Sequence, residues 1–570
     1  LSPVEALGTN KLQGLFGAQF GELTPDEQLL LQKAAVFGVT FPLAALPSLD
    51  AGQPLPTAKQ QAALTALQKA GHLLPLYATV GKPAHFCFRQ ASMQQVAYSS
   101  IRLEERVLNH QQAAGALAGS RAPQPLPQAA EIAQHYELGE QQALAADWYA
   151  AAASYAETYA MPDTAVSTYQ HAIATLPETA HSYQKQIKLN RTLGRLLRRQ
   201  GKLTLAAAAY AHMAEDAMLL SDTHAEVEAR LRLCLIHAFR HQPEAVVAQA
   251  ERAKEAADIA NLATLAARAT LPLAWGQLWL GQQREAAQQM QQALKGGAAT
   301  QDRVALALGH GLLALLSQPQ GRAQAAQFAQ KGLQLAEQAQ NPLVLALLQG
   351  QFGQLTLSPR MLETAAFQAA VASGEQYLAY LVWLQQGEAA QQQGDFLTAE
   401  RAFESALTLA QRFDDAAAVA GTLRQLGLLY LERGYRARSP RSQEVDWQQA
   451  QRQLQLGEQL ATQAEQPRLR AQLLLANGRF LLETERISEA KRAVLSALDV
   501  LAKLSPEPLR VRQLQAEAWW LLGAFIAKLP PNKRPFQLDN QPYDPPQCFR
   551  NSLKIFGQLP LDSQPLEKQV

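Results

Sequence analysis

Small and apolar residues recur at helical spacing along most of the chain, in pairs of segments separated by short polar stretches. The pattern is clearest between Tyr377 and Leu409. Its small residues are Gly387, Ala390, Gly394, Ala399 and Ala406, and its aromatic residues are Trp383 and Phe403. Small residues let two helices approach closely, and the aromatic rings fill the remaining space. We therefore predict two antiparallel helices joined by a short turn.

Copies of this pattern follow one another at a period of about 40 residues. The equivalent small residues of the first helix are Ala153, Gly194, Cys234, Ala274, Gly387 and Gly427. These offsets resemble those of the tetratricopeptide repeat, a helix pair that stacks on its neighbours because it cannot bury its apolar faces alone. The predicted fold class is all-α, a tetratricopeptide-like α-solenoid superhelix. The pattern blurs over 304–338 and 343–373, and the Arg-rich stretch 434–450 is predicted to be a loop insertion.

Composition narrows the function classes. Hydrophobic residues make up 48% of the chain, charged residues 18%, and the formal net charge is +2, so no global charge indicates a nucleic-acid partner. Cys87, Cys234 and Cys548 lie far apart, which gives neither a zinc motif nor a disulfide framework. No apolar stretch reaches the roughly 20 residues of a membrane span, and no export signal is evident. We expect a cytoplasmic protein without a membrane partner.

The N-terminal part has a different pattern. Thr24-Pro25-Asp26-Glu27 predicts a helix start, with a hydroxyl N-cap, proline in the first turn and acidic residues behind it. A short helix is predicted after Phe41-Pro42 and a third helix over Thr57 to Ala70. Two strands then pair about a turn at Val80 to Pro83. This order predicts a small N-terminal winged-helix domain.

Four segments carry a resemblance to a known family. They are LTPDEQLLLQKAAVFGVTFPLAAL, LTALQKAGHLLPL, HFCFRQASMQQVAYSSI and EIAQHYELGEQQALAADWYAAAASYA. Together they resemble the region after the NTPase core of bacterial STAND regulators, signal-transduction ATPases that include adenylate-cyclase-linked, kinase-linked and maltose-regulator-like proteins. The resemblance covers residues 1–180 and implies a sensor arm that acts on an NTPase module in cis or in trans.

The predicted organisation has five parts. They are an arm after an NTPase core at 1–23, a winged-helix-like domain and following helices at 24–118, a Pro-rich linker at 119–130, repeats at 131–528, and a Pro-rich excursion with a C-terminal capping helix at 529–570. The opening lacks Met, so we expect a longer natural chain.

Catalytic signatures are missing from the sequence. No G-x-x-x-x-G-K-[ST] phosphate loop and no G-x-S-x-G elbow occurs, so we expect no enzyme and no cofactor. Relatives often carry His after the F-x-F-R segment in a unit that can contact nucleotide. The corresponding residue here is Gln90, which favours a helix cap at that position.

The clearest binding signal is a basic face on the predicted helix 183–200. Its members are Lys188, Arg191, Arg195 and Arg198. The register set by Gly194 turns this face toward the inner, concave surface. The next first helices add Arg230 and His237, then Trp275 and Leu278. A groove with a cationic end and an apolar floor suits an acidic, amphipathic peptide or protein segment.

Ordinary structural explanations stand beside these assignments. A basic stripe is often a solvated face paired with acids on neighbouring helices. Trp275 is also typical of a solenoid core. His237 and His241 have the spacing of metal ligands, but no acid or cysteine completes a set, so no metal is expected.

The predicted function is that of a sensor or protein-interaction arm of a STAND-type regulator, which binds a peptide, protein or small inducer. Two alternatives stay open, a stand-alone tetratricopeptide scaffold and a winged-helix transcriptional regulator. DNA binding is disfavoured because the helix at 57–70 offers only Lys59 and Lys69 as cations.

Overall fold

A computed structural model describes residues 15–49, 55–76, 85–119, 121–240, 242–317, 322–345, 347–348, 374–413, 415–504, 509–538 and 541–557. The chain forms two compact units, Leu1–Leu189 (unit 1) and Asn190–Val570 (unit 2), and the boundary falls within one helix. The predicted domain bounds stay predictions.

Unit 1 begins with a mixed helical and β segment. Its elements are α1 (Pro25–Val36), β1 (Thr40–Pro42), a 3₁₀ helix (Leu43–Ser48), α2 (Thr57–Lys69), β2 (Leu73–Leu76), β3 (His85–Phe88), α3 (Ala91–Ser99) and α4 (Leu103–Ala118). Helices α5 (Ala129–Leu138), α6 (Gln142–Thr158) and α7 (Pro162–Thr175) follow, and α8 (Ala180–Arg199) continues into unit 2.

The three strands form one antiparallel sheet in the order β1-β3-β2. Phe41 lies opposite Phe86 and is fully buried, with its ring also packed against Phe88. The predicted hairpin strands are confirmed, whereas its turn lies outside the described residues. Two details differ from expectation. The short second helix is a 3₁₀ helix, because Pro47 lies within it, and sequence reasoning missed β1, which has only three residues.

The predicted start of α1 is confirmed. The Thr24 hydroxyl accepts a hydrogen bond from the Glu27 amide at 3.4 Å, and the Glu27 carboxylate accepts one from the Thr24 amide at 2.8 Å. Together they form a reciprocal capping box, which satisfies two amide donors that the first helical turn leaves without partners.

Unit 2 consists mainly of helix pairs. Its helices are α9 (Leu203–Leu219), α10 (Thr223–Phe239), α11 (Pro243–Ile259), α12 (Ala263–Trp279), α13 (Gln283–Ala299), α14 (Arg303–Ser317), α15 (Arg322–Gln338), α16 (Gln376–Gln393), α17 (Phe396–Ala410), α18 (Ala416–Tyr435), α19 (Pro440–Gln463), α20 (Pro467–Glu483), α21 (Ile487–Ala502), α22 (Leu509–Lys528) and α23 (Pro545–Gly557). Each helix packs mainly on its sequence neighbours. This consecutive packing confirms an all-α solenoid.

Small residues of each first helix face a large residue of the second helix, as the sequence pattern predicted. A Cβ added to Gly387 would lie 2.4 Å from Phe403 Cε1, and one added to Gly194 would lie 2.6 Å from Tyr210 Cε1. Gly427 has the same relation to Leu454 at 2.7 Å. At these three positions a side chain larger than that of glycine would meet the facing residue, so the glycine fixes the register of its own helix pair.

The 40-residue period is also visible in the backbone. Ser221, Asn261 and Gln301 follow second helices at 40-residue steps, and each has a positive φ of 54° to 56°. A left-handed residue ends a helix and redirects the chain into the next one. These residues have side chains, so the turn geometry was not evident from glycine positions.

The predicted loop insertion at 434–450 is wrong. Helix α18 continues to Tyr435, and α19 begins at Pro440 and runs for 24 residues. Pro440 occupies the first turn, where its missing amide costs nothing, and the Ser439 hydroxyl accepts a hydrogen bond from the Ser442 amide at 3.1 Å. The additional residues therefore lengthen a helix pair.

The Pro-rich segment before α23 packs against α22. It contains a short 3₁₀ helix (Pro531–Lys533) and an antiparallel hairpin of β4 (Phe536–Leu538) and β5 (Gln541–Tyr543). The ring of Phe536 meets Phe525 edge to face at 5.5 Å. A Cβ added to Gly523 of α22 would lie 2.7 Å from Phe549 of α23, so the terminal helices form another pair.

Distant helix pairs of unit 2 also touch. The Tyr377 hydroxyl donates a hydrogen bond to the Phe239 carbonyl oxygen at 3.0 Å, and the two rings lie 5.1 Å apart. A Cβ on Gly201 would lie 2.2 Å from Phe413 Cδ1. The turn after α8 and the end of α10 therefore pack against the region around α16.

Candidate functional site

The interface glycines define which side chains of each first helix share a face. At about 100° per residue, the positions six before, three before, one after and four after the glycine lie within about 80° of one another, to one side of it. We call this side the inner face. The set in α8 is Lys188, Arg191, Arg195 and Arg198, which is the predicted basic face.

The described partners of this basic face are acidic. Arg191 Nη2 lies 3.0 Å from Glu228 Oε2, and Glu228 occupies the inner face of α10. Arg195 is half-buried, while Lys188 is exposed within unit 1. The pair between Arg191 and Glu228 shows that part of the positive charge is neutralised inside unit 2.

Arg198 was predicted to be an accessible partner-binding cation, and the structure contradicts this prediction. Its side chain is 7% exposed, and its Nη2 lies 2.8 Å from Glu375 Oε1. Arg199 Nε lies 3.9 Å from the same oxygen. Burial raises the pKa of Glu375 above its ordinary value, and the two guanidinium groups partly offset that effect. Arg198 therefore holds parts of unit 2 together.

Arg230 and His237 do not share the inner face of α10. Cys234 is the small residue of α10. Arg230 lies four residues before it and His237 three residues after it, which places both on the side of the helix that meets other helices. Arg230 is buried, and Nε donates to Glu226 Oε1 at 2.8 Å while Nη1 donates to Gln249 Oε1 at 3.2 Å. His237 Nδ1 lies 2.8 Å from Gln242 Oε1. Both predicted partner-binding residues therefore have structural contacts.

Trp275 and Leu278 do occupy the inner-face positions of α12, counted from Ala274. Both side chains are half-buried. The Trp275 ring lies 4.0 Å from that of Trp279, and it packs against the core around Leu271. The two residues form an apolar patch that packs partly on the core and is partly accessible to solvent. Their role in partner binding stays a prediction.

Sequence reasoning missed four charged residues on later inner faces. They are Glu388 in α16, Arg424 in α18, Arg479 in α20 and Glu517 in α22. Counting from the interface glycines would have found them. They stand one after Gly387, three before Gly427, one after Gly478 and six before Gly523, which are inner-face positions. In α8 several basic residues stand in one segment and are conspicuous, whereas here each helix contributes a single charged residue.

These four charged residues influence one another electrostatically. Burial lowers the pKa of Arg424, and the carboxylates of Glu517 and Glu388 partly offset this. Burial likewise raises the pKa of Glu517, opposed by Arg424 and Arg479. The Gln425 amide donates a hydrogen bond to Glu388. Arg424 and Glu517 belong to helix pairs two repeats apart, and the pair between them contributes Arg479.

The described residues offer no metal site, since no group of three or more His, Cys, Asp and Glu side chains comes together among them. His241, the second of the two histidines at metal-ligand spacing, lies outside the described residues. None of the described helices combines the length and the apolar character needed to cross a membrane.

The fold and its inner face define a helical-repeat protein that presents side chains along a surface formed by successive first helices. No protein-family model matches the chain, and no curated protein sequence matches it.

Solved tetratricopeptide-repeat structures are similar at low identity. One is a signal transduction ATPase with numerous domains (STAND) with a tetratricopeptide repeat sensor from Pyrococcus horikoshii, 12% identical, matched over 86% of this chain and 66% of its own length, with a TM-score of 0.37. Another is a Rap protein complexed with competence and sporulation factor, 12% identical, matched over 62% of this chain and 92% of its own, with a TM-score of 0.38. At these TM-scores the likenesses add nothing to what the helix pairs themselves show.

Proposed function

We propose that this chain is the sensor or protein-interaction arm of a STAND-type signal-transduction regulator. The observation that carries the proposal is the inner face of unit 2, where the helical register brings charged and aromatic residues of successive first helices to the same side. Repeat arrays of this kind present extended surfaces, which suit a peptide, a protein segment or a small inducer. The STAND assignment itself rests on the four sequence segments of the first 180 residues.

We further propose that α1 to β3 form a winged helix that couples the repeats to an NTPase module. The element order and the β1-β3-β2 sheet support this assignment. The surface of α2 does not favour DNA. Lys59 Nζ lies 3.3 Å from Asp26 Oδ2, and Gln60 is buried, which leaves Lys69 as the remaining cation of this helix. In a mobility-shift assay at low salt, we expect no shift of duplex DNA.

The partner-binding proposal is tested with the full chain immobilised as bait in extract of the source cell. The test variant is Arg191→Gln with Arg195→Gln, which removes two inner-face charges. Arg198 is left unchanged because it is buried in an ion pair. The matched control is Arg252→Gln with Arg284→Gln, two exposed arginines on the second helices α11 and α13.

The expected result is capture of an acidic partner or an NTPase-containing protein by the wild type and the control, and loss of that partner from the test variant. Identical captures by all three proteins would contradict a role for the basic inner face. Partners lost from the test variant that include no NTPase would instead favour the stand-alone scaffold.

A further inference from the structure

The inner faces of α16, α18, α20 and α22 carry a charge cluster that differs from the basic face of α8. It consists of Glu388, Arg424, Arg479 and Glu517, with two charges of each sign. Counted from the interface glycines, these residues lie within about 60° of one another around their helices. Each repeat thus contributes one charged side chain to the same surface.

Three of the four charged residues make no side-chain hydrogen bond to other described residues. Across the described part of the chain, Arg424, Arg479 and Glu517 neither donate nor accept a side-chain hydrogen bond, and Arg424 Nε is buried without a partner. Glu388 accepts one bond, from Gln425. Glu388 and Arg479 are exposed, and Arg424 and Glu517 are half-buried, so these charges border a surface that a ligand can reach. Buried polar atoms are normally paired, which makes Arg424 Nε the one atom of the cluster that lacks an expected partner.

The acidic and basic members influence one another from different repeats. Glu388 and Glu517 act on Arg424 from two other helix pairs, and Arg479 acts on Glu517. A structural ion pair would bring two of these groups to hydrogen-bonding distance, as Arg433 and Asp446 do at 2.7 Å. Within the described part of the chain, no such pair joins any two of these four residues.

Apolar side chains lie among the charges. Leu384 stands three residues before Gly387, Leu428 one after Gly427 and Trp520 three before Gly523, so they occupy the same inner face. All three are half-buried and pack on the core with one side. The surface therefore alternates cationic, anionic and apolar contacts over neighbouring helices.

We propose that this cluster, formed by Glu388, Arg424, Arg479 and Glu517, binds a peptide segment that carries at least one acidic and one basic side chain with apolar residues nearby. Charge complementarity selects this occupant, since a purely acidic or purely basic segment would leave two like charges opposed. The inference rests on the proposed function and names the ligand class and the repeats that bind it.

The test uses N-acetylated octapeptide sublibraries and the full chain. Four sublibraries carry mixed charges, only acidic charges, only basic charges, or no charges, all on the same apolar positions. Binding is measured for the wild type, for Arg424→Gln, for Glu517→Gln, for Arg191→Gln with Arg195→Gln at the other end of the inner face, and for Arg252→Gln with Arg284→Gln as the control. Thermal unfolding of each variant confirms that it is folded.

The expected result is preferential retention of the mixed-charge sublibrary, about tenfold weaker in Arg424→Gln and in Glu517→Gln and unchanged in the control. Mixed-charge binding that is lost only in the Arg191/Arg195 variant overturns this inference and leaves the proposed function intact. Retention of purely acidic peptides above all others likewise overturns the inference alone. Absence of binding by every sublibrary overturns this inference, whereas the proposed function is decided by the capture experiment.

Discussion

Arg198 and Glu375 form an ion pair inside unit 2, with 2.8 Å between Arg198 Nη2 and Glu375 Oε1. Both side chains are almost completely buried, and Glu375 is the residue before the first turn of α16. The pair joins the end of α8 to a helix far away in the sequence, next to the Tyr377 and Phe239 contact.

Removing one member of this pair should destabilise unit 2. Arg198→Gln or Glu375→Gln alone leaves a buried charge without its partner, with an expected loss of about 3 kcal/mol in the free energy of unfolding. Replacing both, as Arg198→Met with Glu375→Leu, should restore most of that loss. Urea unfolding followed by circular dichroism measures each value. Equal stability of the two single variants and the wild type would contradict the buried pair.

Gly387 and Gly421 provide a matched comparison between a tight and an open glycine. Gly387→Ala places a Cβ 2.4 Å from Phe403 Cε1, so the pair of α16 and α17 must separate, at about 2 kcal/mol. Gly421 has no heavy atom within 4 Å of such a Cβ and lies within α18, so Gly421→Ala should stabilise by about 0.5–1 kcal/mol. Differential scanning calorimetry shows both changes as opposite shifts in Tm.

Acid should destabilise unit 1 through two buried histidines. His110 Nδ1 lies 2.9 Å from His135 Nδ1, and His110 Nε2 lies 2.8 Å from the Tyr98 hydroxyl. The contact between the two ring nitrogens holds only one proton, and the ring of Phe37 and the charge of Arg106 also border the pair. Burial lowers the pKa of both histidines to about 4.

Because these folded-state pKa values lie below the ordinary value of 6.5, the unfolded state binds more protons between pH 4 and 6.5. Stability is therefore complete above that window and is lost as pH falls through it, by about 3 kcal/mol per histidine. His110→Gln should reduce the pH dependence of the urea midpoint of unit 1. His224→Gln, an exposed residue on α10, is the control and should leave the pH dependence unchanged.

Ser439 is the N-cap of α19, which occupies the stretch that was predicted to be a loop insertion. Ser439→Ala removes the acceptor of the Ser442 amide and should cost about 1 kcal/mol, most of it at the start of α19. Hydrogen exchange of residues 441–445 should become faster. Thr408→Ala removes an exposed hydroxyl within α17 that bonds the Glu404 carbonyl oxygen and should change no exchange rate near Ser439.

The helix pairs could be predicted because their determinants are local. Gly387 and Phe403 lie in one continuous segment, and their spacing specifies that the helices approach closely. The pair of Arg198 and Glu375 could not be predicted in this way, because nothing in either sequence neighbourhood indicates the other. The distinction between surface and buried arginines in α8 depended on that long-range contact.

The binding residues were predictable only in part, for a related reason. A helical wheel of α8 groups Lys188, Arg191, Arg195 and Arg198 on one side of Gly194. The sequence pattern also identified Cys234 as the small residue of α10, but Arg230, four residues before it, lies on the side that meets other helices and not on the inner face. The cluster around Arg424 was missed because its charges are distributed one per repeat, so no single segment is conspicuously charged.

The Tyr377 and Phe239 contact also changes how unit 2 is expected to lose structure. In a linear array, each pair depends only on its two neighbours, and the ends can fray while the middle persists. The hydrogen bond and the ring contact join α10 to α16 across several repeats, so we expect the unfolding of these two helices to be coupled. A ligand that orders one of them would then make the other more rigid, so that a local binding event reaches a repeat far away in the sequence.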